Sequence, residues 1–295
     1  MRVGVVIATL GRPREAAKIL ERLRRQSHPP ARIVFSVEKL EDLPADPTPE
    51  NLRSDVEVVL GPRGLCAQRN RGMARVIDGC DVVVFYDDDF LPSRRSLEGV
   101  AATFAAHPDV VGATGHVLAD GVTRGGLSWE QAASIVDVYD TGPHATPAIL
   151  ADIKHAYGCN MAFRCRAAAG LRFDERLPLY GWQEDVDFAG QIARRGRVVK
   201  TNAFAGVHLG VTQSRSPGVR LGFSQMVNPV YLVRKGTMRL GHAARIMCCN
   251  LIANHVRVLA PERHIDRRGR LVGNWRGLLH LAAGRADPER ISSFP

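Results

Sequence analysis

Four short apolar runs recur in the first ninety residues: VGVVIA at residues 3–8, Ile33 to Val37, Val56 to Leu60 and Val82 to Tyr86. They are rich in β-branched residues and each reads as a strand, the first and last continuously apolar and so buried. Between the first two, Pro13 is placed for the first turn of a helix, and Ala16, Ala17, Ile19, Leu20 and Leu23 follow at helical spacing over Arg14 to Arg25. Gly61-Pro62-Arg63-Gly64 turns into a second helix from about Leu65 to Ile77. Strands and helices alternating in this way predict an α/β fold, a mostly parallel sheet with helices on both faces. Ligands of such sheets bind beyond the carboxyl ends of the strands.

The fourth strand ends in an unusual way. VVVFYDDDFLP, residues 82–92, runs from apolar residues straight into Asp87, Asp88 and Asp89. Adjacent carboxylates raise one another's pKa unless something positive lies between them. A divalent cation is the simplest candidate, and a solvated acidic turn is the plain alternative. Thr9 and Arg12 follow the first strand and so lie at the same edge of the sheet. Two further groups stand out: Gly181-Trp182-Gln183-Glu184-Asp185-Val186-Asp187, and His208 at the end of a strand over Val198 to His208. Taken alone, Glu184-Asp185 reads as a helix start, where acids favour the positive end of the dipole, and a lone His as packing. The order strand-Asp-x-Asp, Gly-Trp-x-Glu-Asp, strand-His is far more specific. Elsewhere the pattern predicts a helix at 97–106, a strand over Val110 to Val117, loops and short elements from about 119 to 155, and ordered structure again at Gly158 to Arg164. Thr212 to Gly218, TQSRSPG, reads as a connector, giving a catalytic domain over 1–212 and an extension over 213–295.

The chain has 295 residues, 45% of them hydrophobic, enough for a real core and unlike a disordered composition. Its net charge of +10 is unevenly placed. Residues 211–295 hold fourteen Arg or Lys against four acids, and the remainder is neutral. An anionic partner is therefore expected for that quarter alone. No apolar run of about 18 residues is present to span a bilayer, and polar residues from Thr9 to Arg14 interrupt any secretory signal. Cys66, Cys80, Cys159, Cys165, Cys248 and Cys249 form no Cys-x-x-Cys pair and read as buried small residues of a reducing cytosol. A cytoplasmic location is expected, at most peripheral on the inner face of the membrane.

Over roughly residues 1–210 the chain resembles the family two glycosyltransferases, which have the GT-A fold. The resembling pieces are Val5-Val6-Ile7-Ala8-Thr9-Leu10-Gly11-Arg12, Gly64 through Gln68-Arg69-Asn70-Arg71-Gly72, the Asp triplet, Gly158-Cys159-Asn160-Met161-Ala162-Phe163-Arg164, and Phe173-Asp174-Glu175 followed by Glu184-Asp185. The resemblance implies a nucleotide-sugar donor, a glycan or lipid-linked glycan acceptor, and transfer with inversion. It implies Asp185 as general base, with Glu184, Trp182 and Asn160 on the acceptor side. Thr9, Arg12, Glu38, Arg69, Asn70, Asp87 and Asp88 would face the donor, Asp88 reaching the ribose. Mn²⁺ or Mg²⁺ would be held by Asp89 with Asp87 or His208, a donor set of carboxylates and imidazole suited to these ions. The chain departs from the family in having Ala8-Thr9-Leu10-Gly11 where Pro-Thr-Tyr-Asn is usual, and Ser36-Val37-Glu38 where an Asp is usual, so Glu38 is expected in its place. A sugar nucleotidyltransferase is the nearest alternative, disfavoured because the first loop lacks a Gly-x-Gly-x-x-Arg signature. A metal-dependent phosphohydrolase and a non-catalytic sugar-nucleotide or polyanion binder are the others, and nucleic acid is not an expected partner.

In the C-terminal quarter, Met238 to Leu259 places Leu240, Ala244, Met247, Leu251 and Val258 on one stripe of a helix, and Arg239, His242, Arg245, Asn250, Asn254 and Arg257 on another. Such a helix can lie on an anionic membrane surface or pack its apolar stripe on the catalytic domain. Asn274 is expected to cap a last helix that ends at Gly284.

Overall fold

In the computed structural model, residues 1–44, 56–122, 125–143, 145–211, 217–262 and 264–294 are described. The alternation foreseen in the first ninety residues is present as β1 (Val3–Ala8), α1 (Pro13–Arg24), β2 (Arg32–Val37), β3 (Val56–Leu60), α2 (Leu65–Val76) and β4 (Val82–Asp87). There follow β5 (Phe90–Pro92), α3 (Ser96–Ala106), β6 (Val110–Asp120), α4 (Trp129–Thr141), β7 (Ile149–Asp152), β8 (Asn160–Arg164), α5 (Cys165–Ala168), α6 (Glu184–Ile192) and β9 (Arg197–His208). All the strands join one sheet in the order β3-β2-β1-β4-β8-β6-β9-β5, with β7 paired to β9. β3, β2, β1 and β4 are mutually parallel, and β6 is parallel to β9. β8 runs antiparallel between β4 and β6, so the sheet is mixed at its centre.

Strand alternation sorts the core into two layers. Val3, Val5 and Ile7 of β1 and Val82, Val84 and Tyr86 of β4 face Ile19 and Leu23 of α1 and Val100 and Phe104 of α3. Val6, Val83 and Phe85 face the other way, onto Met73 and Val76 of α2 and Phe188 and Ile192 of α6. Asp87 continues the second series, and this parity aims it at α2.

Two departures from the sequence reading matter for the site. The 119–155 stretch is not mainly loop: it holds α4, begun by a reciprocal Ser128–Gln131 capping box. β6 also runs three residues past Val117, to Asp120, because it keeps pairing with β9 through a register shift between Val117 and Ala119.

The C-terminal quarter folds as α7 (Gly218–Lys235), α8 (Leu240–Arg257) and α9 (Arg267–Ala282). Residues 212–216, where the domain boundary was expected, lie outside the described residues. Packing runs across that point: Leu232, Met238 and Ala243 belong to the same core cluster as Phe85 and Phe188. Lys235 Nζ lies 2.7 Å from both Asp174 and the fully buried Asp187, and Thr237 donates to Asp187 at 2.6 Å. α7 and α9 approach closely at two glycines. A Cβ on Gly222 would meet Arg270 O at 2.1 Å, and one on Gly273 would meet Val219 O at 2.1 Å.

Asn274 does not cap α9. Asp266 does, accepting from Gly269 N–H, while Asn274 is wholly buried and bonded to Gly222 O and Gln225. Gly284, with φ 74°, ends the helix as expected. Of the cysteines, Cys66, Cys159 and Cys165 are buried and Cys80 half-buried, but Cys248 and Cys249 are exposed, correcting the expectation of six buried thiols.

Candidate active site

The three consecutive aspartates part company at the end of β4. Asp88 turns inward, where it is buried: its Oδ2 accepts from Thr9 Oγ1 at 2.6 Å and its Oδ1 from Arg12 Nη1 at 2.8 Å. Burial pushes its carboxyl up to about 7, against the pull of Arg12 and with a further rise from Asp89. Both of its oxygens are thus engaged in anchoring the first loop, which is not the position expected of a residue that reaches a ribose. Asp87 and Asp89 instead converge with His208, one ligand atom from each lying within 4.8 Å of the others.

Local pairing explains that convergence. β5 pairs antiparallel with β9, setting Phe90 opposite His208, and Leu209 N–H donates to Asp89 O at 2.9 Å. His208 Nε2 then faces Asp89 Oδ1 at 3.4 Å and Asp87 Oδ2 at 3.9 Å. On its other side, His208 Nδ1 is 3.2 Å from Asp120 Oδ1, and Tyr157 Oη donates to Asp120 Oδ2 at 2.6 Å. A carboxylate on Nδ1 fixes the proton there and turns Nε2 toward the two aspartates, where it would be free to coordinate a cation bound between them, the usual arrangement behind a metal-binding imidazole. Burial alone would raise the Asp120 carboxyl, but hydrogen bonds from His208, Tyr157 and Val122 N–H hold it down at about 2. Two carboxylates and one oriented imidazole are a donor set that fits Mn²⁺ or Mg²⁺.

Arg69 of α2 connects this cluster to the second acidic group. Its side chain is buried against the rings of Phe85 and Phe173. One guanidinium nitrogen donates to Asp87 Oδ1 at 2.8 Å and Gly158 O at 3.0 Å, and the other donates to Glu184 Oε1. Arg69 is therefore the hub that spaces the acids, rather than a free cation reaching the donor. Glu184 keeps a second oxygen, Oε2, buried and without a hydrogen-bond partner among the described residues. Burial raises the Glu184 carboxyl well above the ordinary range; Arg69 opposes the rise, and Asp185 and Asp87 add to it. Asp185 is half-buried at the start of α6, with Oδ2 accepting from Gly158 N–H at 2.9 Å and Oδ1 from Val186 N–H at 2.8 Å. Burial raises its pKa too, against Arg69 and the two backbone donors.

The turn before α6 carries backbone strain. Leu179 (φ 61°) and Gln183 (φ 75°) are non-glycine residues in the left-handed region, on either side of half-buried Trp182. Trp182 O accepts from Asn228 of α7 at 2.8 Å, so the C-terminal quarter helps to hold this turn.

Thr9, Arg12, Arg69, Asp87, Asp88, Asp89, Glu184, Asp185 and His208 thus form one connected region at the carboxyl ends of β1, β4 and β9. Glu38 lies beyond β2 at the same edge and is exposed. Two residues do not join them. Asn70 points away along α2, where it exchanges hydrogen bonds with the Phe173 backbone and donates to Glu175. Asn160 is register-paired with Tyr86 and shares its side of the sheet, opposite to Asp87; it is fully buried and cannot face an acceptor from there.

Sequence reading missed Asp120, Tyr157 and Asp42. Asp42 is fully buried and accepts from the N–H groups of Gly11, Glu38 and Lys39, tying the first loop to the end of β2. It ends a short 3-10 turn over Leu40–Asp42, next to exposed Glu41, and nothing in the sequence marks it out. Tyr157 could have been found as the residue before the Gly158 segment.

The family model described as Glycosyl transferase family 2 matches residues 4–174, more than half of the chain. No curated protein matches it. Among solved structures, S. aureus TarS 1–349 aligns with a TM-score of 0.56 at 12% identity, over 99% of this chain and 83% of TarS 1–349. The same protein in complex with UDP-GlcNAc aligns with a TM-score of 0.56 at 13% identity, over the same shares of the two chains. The mannosyltransferase PcManGT from Pyrobaculum calidifontis, in complex with GDP-Man and Mn²⁺, aligns with a TM-score of 0.54 at 16% identity, over 99% of this chain and 84% of its own. At these identities the likeness shows the fold, which is GT-A, and the family match supplies membership: this chain belongs to glycosyl transferase family 2.

Proposed function

We propose that this glycosyltransferase moves a hexosyl group, with inversion, from a nucleotide-sugar to a hydroxyl of a glycan or lipid-linked glycan, and that the reaction depends on a divalent cation. The observation that carries the reading is the pairing, through Arg69, of a cation-suited cluster with the buried carboxylate of Glu184, next in the chain to Asp185. Asp87, Asp89 and His208 would hold Mn²⁺ or Mg²⁺, whose chemistry when bound is to neutralise charge on the diphosphate leaving group. That the mannosyltransferase neighbour is described with GDP-Man and Mn²⁺, and TarS with UDP-GlcNAc, favours a nucleotide-sugar donor here.

Arg12 and Thr9, held by Asp88, shape the donor side, with Glu38 at its rim. Asp185 removes the proton from the attacking acceptor hydroxyl. Its raised pKa makes it a stronger base than a free carboxylate, and its two backbone donors fix its direction. Glu184, whose Oε2 has no hydrogen-bond partner among the described residues, would accept from a second acceptor hydroxyl, and the ring of Trp182 would offer an apolar face to a sugar.

A thermal-shift panel of nucleotide-sugars tests donor binding, with and without Mn²⁺ or Mg²⁺. Stabilisation that needs both nucleotide-sugar and cation is expected. A shift that is indifferent to the cation, in wild type and in Asp89→Asn alike, would contradict the assignment.

A further inference from the structure

The helices α8 and α9 are turned inside out for a water-soluble bundle. Their inward faces are small or polar, with Ala243, Gly269, Gly273 and Gly277 buried beside Asn254, Arg267 and Asn274. Asn254 donates to Gln225 at 3.1 Å and Asn274 at 2.8 Å, Arg267 donates to Asn254 at 2.9 Å, and Gln225 donates to Asn250 at 2.8 Å. Their outward faces are apolar. Ile252, Val256 and Leu259 at the end of α8, with Val272, Trp275 and Leu279 of α9, are between 46 and 88% exposed. The expected stripe on α8 is therefore not the packed one: Leu240 is exposed, and Ala243 and Asn254 are buried instead. His255 and Trp275 meet edge to face, with ring centroids 5.8 Å apart, and join the two outward faces into one surface.

That surface carries positive charge and no available acid. Arg245 and Arg268 are exposed beside the apolar residues and have no acidic partner among the described residues. The acids of this quarter are engaged elsewhere: Glu262 with Arg257 and Arg267, Asp266 as the α9 cap, Asp287 and Glu289 with Arg176. A cavity of about 400 Å³, lined by Arg276, Leu279, His280, Arg285 and Phe294, opens at the border of the face.

We propose that this α8–α9 face docks on an anionic lipid bilayer, with Trp275, Ile252, Val256 and Leu279 entering the headgroup region and Arg245, Arg268 and Arg276 pairing with lipid phosphates. Charge decides between a bilayer and a second copy of the chain. A two-fold pairing through this face would bring two cationic surfaces together with no acid to offset them, whereas anionic lipid complements them. A Trp at the rim of an apolar, cationic face is placed as interfacial anchors are. No helix among the described residues is long and apolar enough to cross a membrane, so the chain would lie on the bilayer rather than span it.

Vesicle co-sedimentation of the full chain tests this, without donor or turnover, so its failure would leave the active-site reading intact. Binding is expected to mixed phosphatidylglycerol–phosphatidylcholine vesicles and not to phosphatidylcholine alone. It should be reversed at about 1 M salt, where the screening length falls to about 3 Å. Arg245→Gln with Arg268→Gln should lower the partition coefficient about 25-fold, roughly fivefold for each charge. Ile252→Ser with Leu279→Ser should abolish binding while leaving the melting temperature unchanged, since both positions are exposed. The bound protein should show a blue-shifted tryptophan emission that is lost in Trp275→Phe. Equal indifference to both vesicle types, or binding untouched by both double substitutions, would overturn the proposal. A dimer in sedimentation velocity that Ile252→Ser with Leu279→Ser dissolves would assign the face to a second copy instead.

Discussion

Arg69 lies 2.8 Å from Asp87, and the same guanidinium also donates to Glu184. One buried cation thus sets the distance between the residues expected to hold the donor's metal and those expected to receive the acceptor. Removing it leaves up to three acids facing one another in a desolvated site. Arg69→Met should therefore destabilise the protein by about 3–5 kcal/mol, the usual cost of breaking a buried pair from one side. Arg69→Lys keeps the charge but replaces the planar fork, whose two nitrogens reach Asp87 and Glu184 separately, with a single nitrogen, so it should fold better than the Met variant while turnover still falls. Urea unfolding and turnover, measured on both variants, check this.

Asp120 acts on the metal through His208. Asp120→Asn keeps the shape but removes the charge that orients the imidazole, and should weaken Mn²⁺ binding by about 10–100-fold. His208→Ala and Asp89→Asn should each weaken it at least as much. Calorimetry of Mn²⁺ binding reads this without turnover, and unchanged affinity in all three would remove the metal assignment.

The pH dependence follows from Asp185. As the base it must be ionised, and its pKa is raised in the folded site, so activity should climb with rising pH through a value above the ordinary aspartate range. Asp185→Asn should lose that acid limb and roughly 10²–10⁴-fold in turnover, with donor affinity preserved. Near wild-type turnover would make Glu184 the base; loss of donor binding would point to a metal or folding role for Asp185.

Lys235 joins α7 to Asp174 and Asp187. Lys235→Met should cost about 3 kcal/mol, because Asp187 is left buried without its cation. By the same packing, a chain ending at residue 212 should not fold stably, since it lacks Leu232, Met238 and Ala243 of the shared core. Circular dichroism and a melting curve of the truncated chain check this.

The strands were legible in the sequence because they rest on local patterns, apolar runs bounded by turns; Asp89 with Asp87 or His208 was expected from the resemblance to the family, since their gathering depends on the distant β5–β9 pairing. What escaped depends on pairing between distant segments. Asp120 enters the site only because β6 keeps its pairing with β9 past Val117. Asn160 leaves it because register places it beside Tyr86 rather than Phe85. α4 buries only Ala132 and Val136, too few positions for a clear helical period, although its Ser128–Gln131 box was a usable signal. The direction that α8 faces was left open because periodicity locates an apolar stripe but does not say which way it faces, and here a network of Asn and Gln side chains lies on the inward side.

The central claim is that a sugar leaves a nucleoside diphosphate under attack by an acceptor hydroxyl activated by Asp185. The most direct measurement is to identify the products formed from the nucleotide-sugar that binds in the presence of Mn²⁺, using nuclear magnetic resonance to assign the anomeric configuration. The account predicts nucleoside diphosphate and a glycoside of inverted configuration, formed in step with one another, lost on chelation and reduced at least 10²-fold in Asp185→Asn. Pyrophosphate exchange, inorganic phosphate without glycoside, or a glycoside of retained configuration would contradict it.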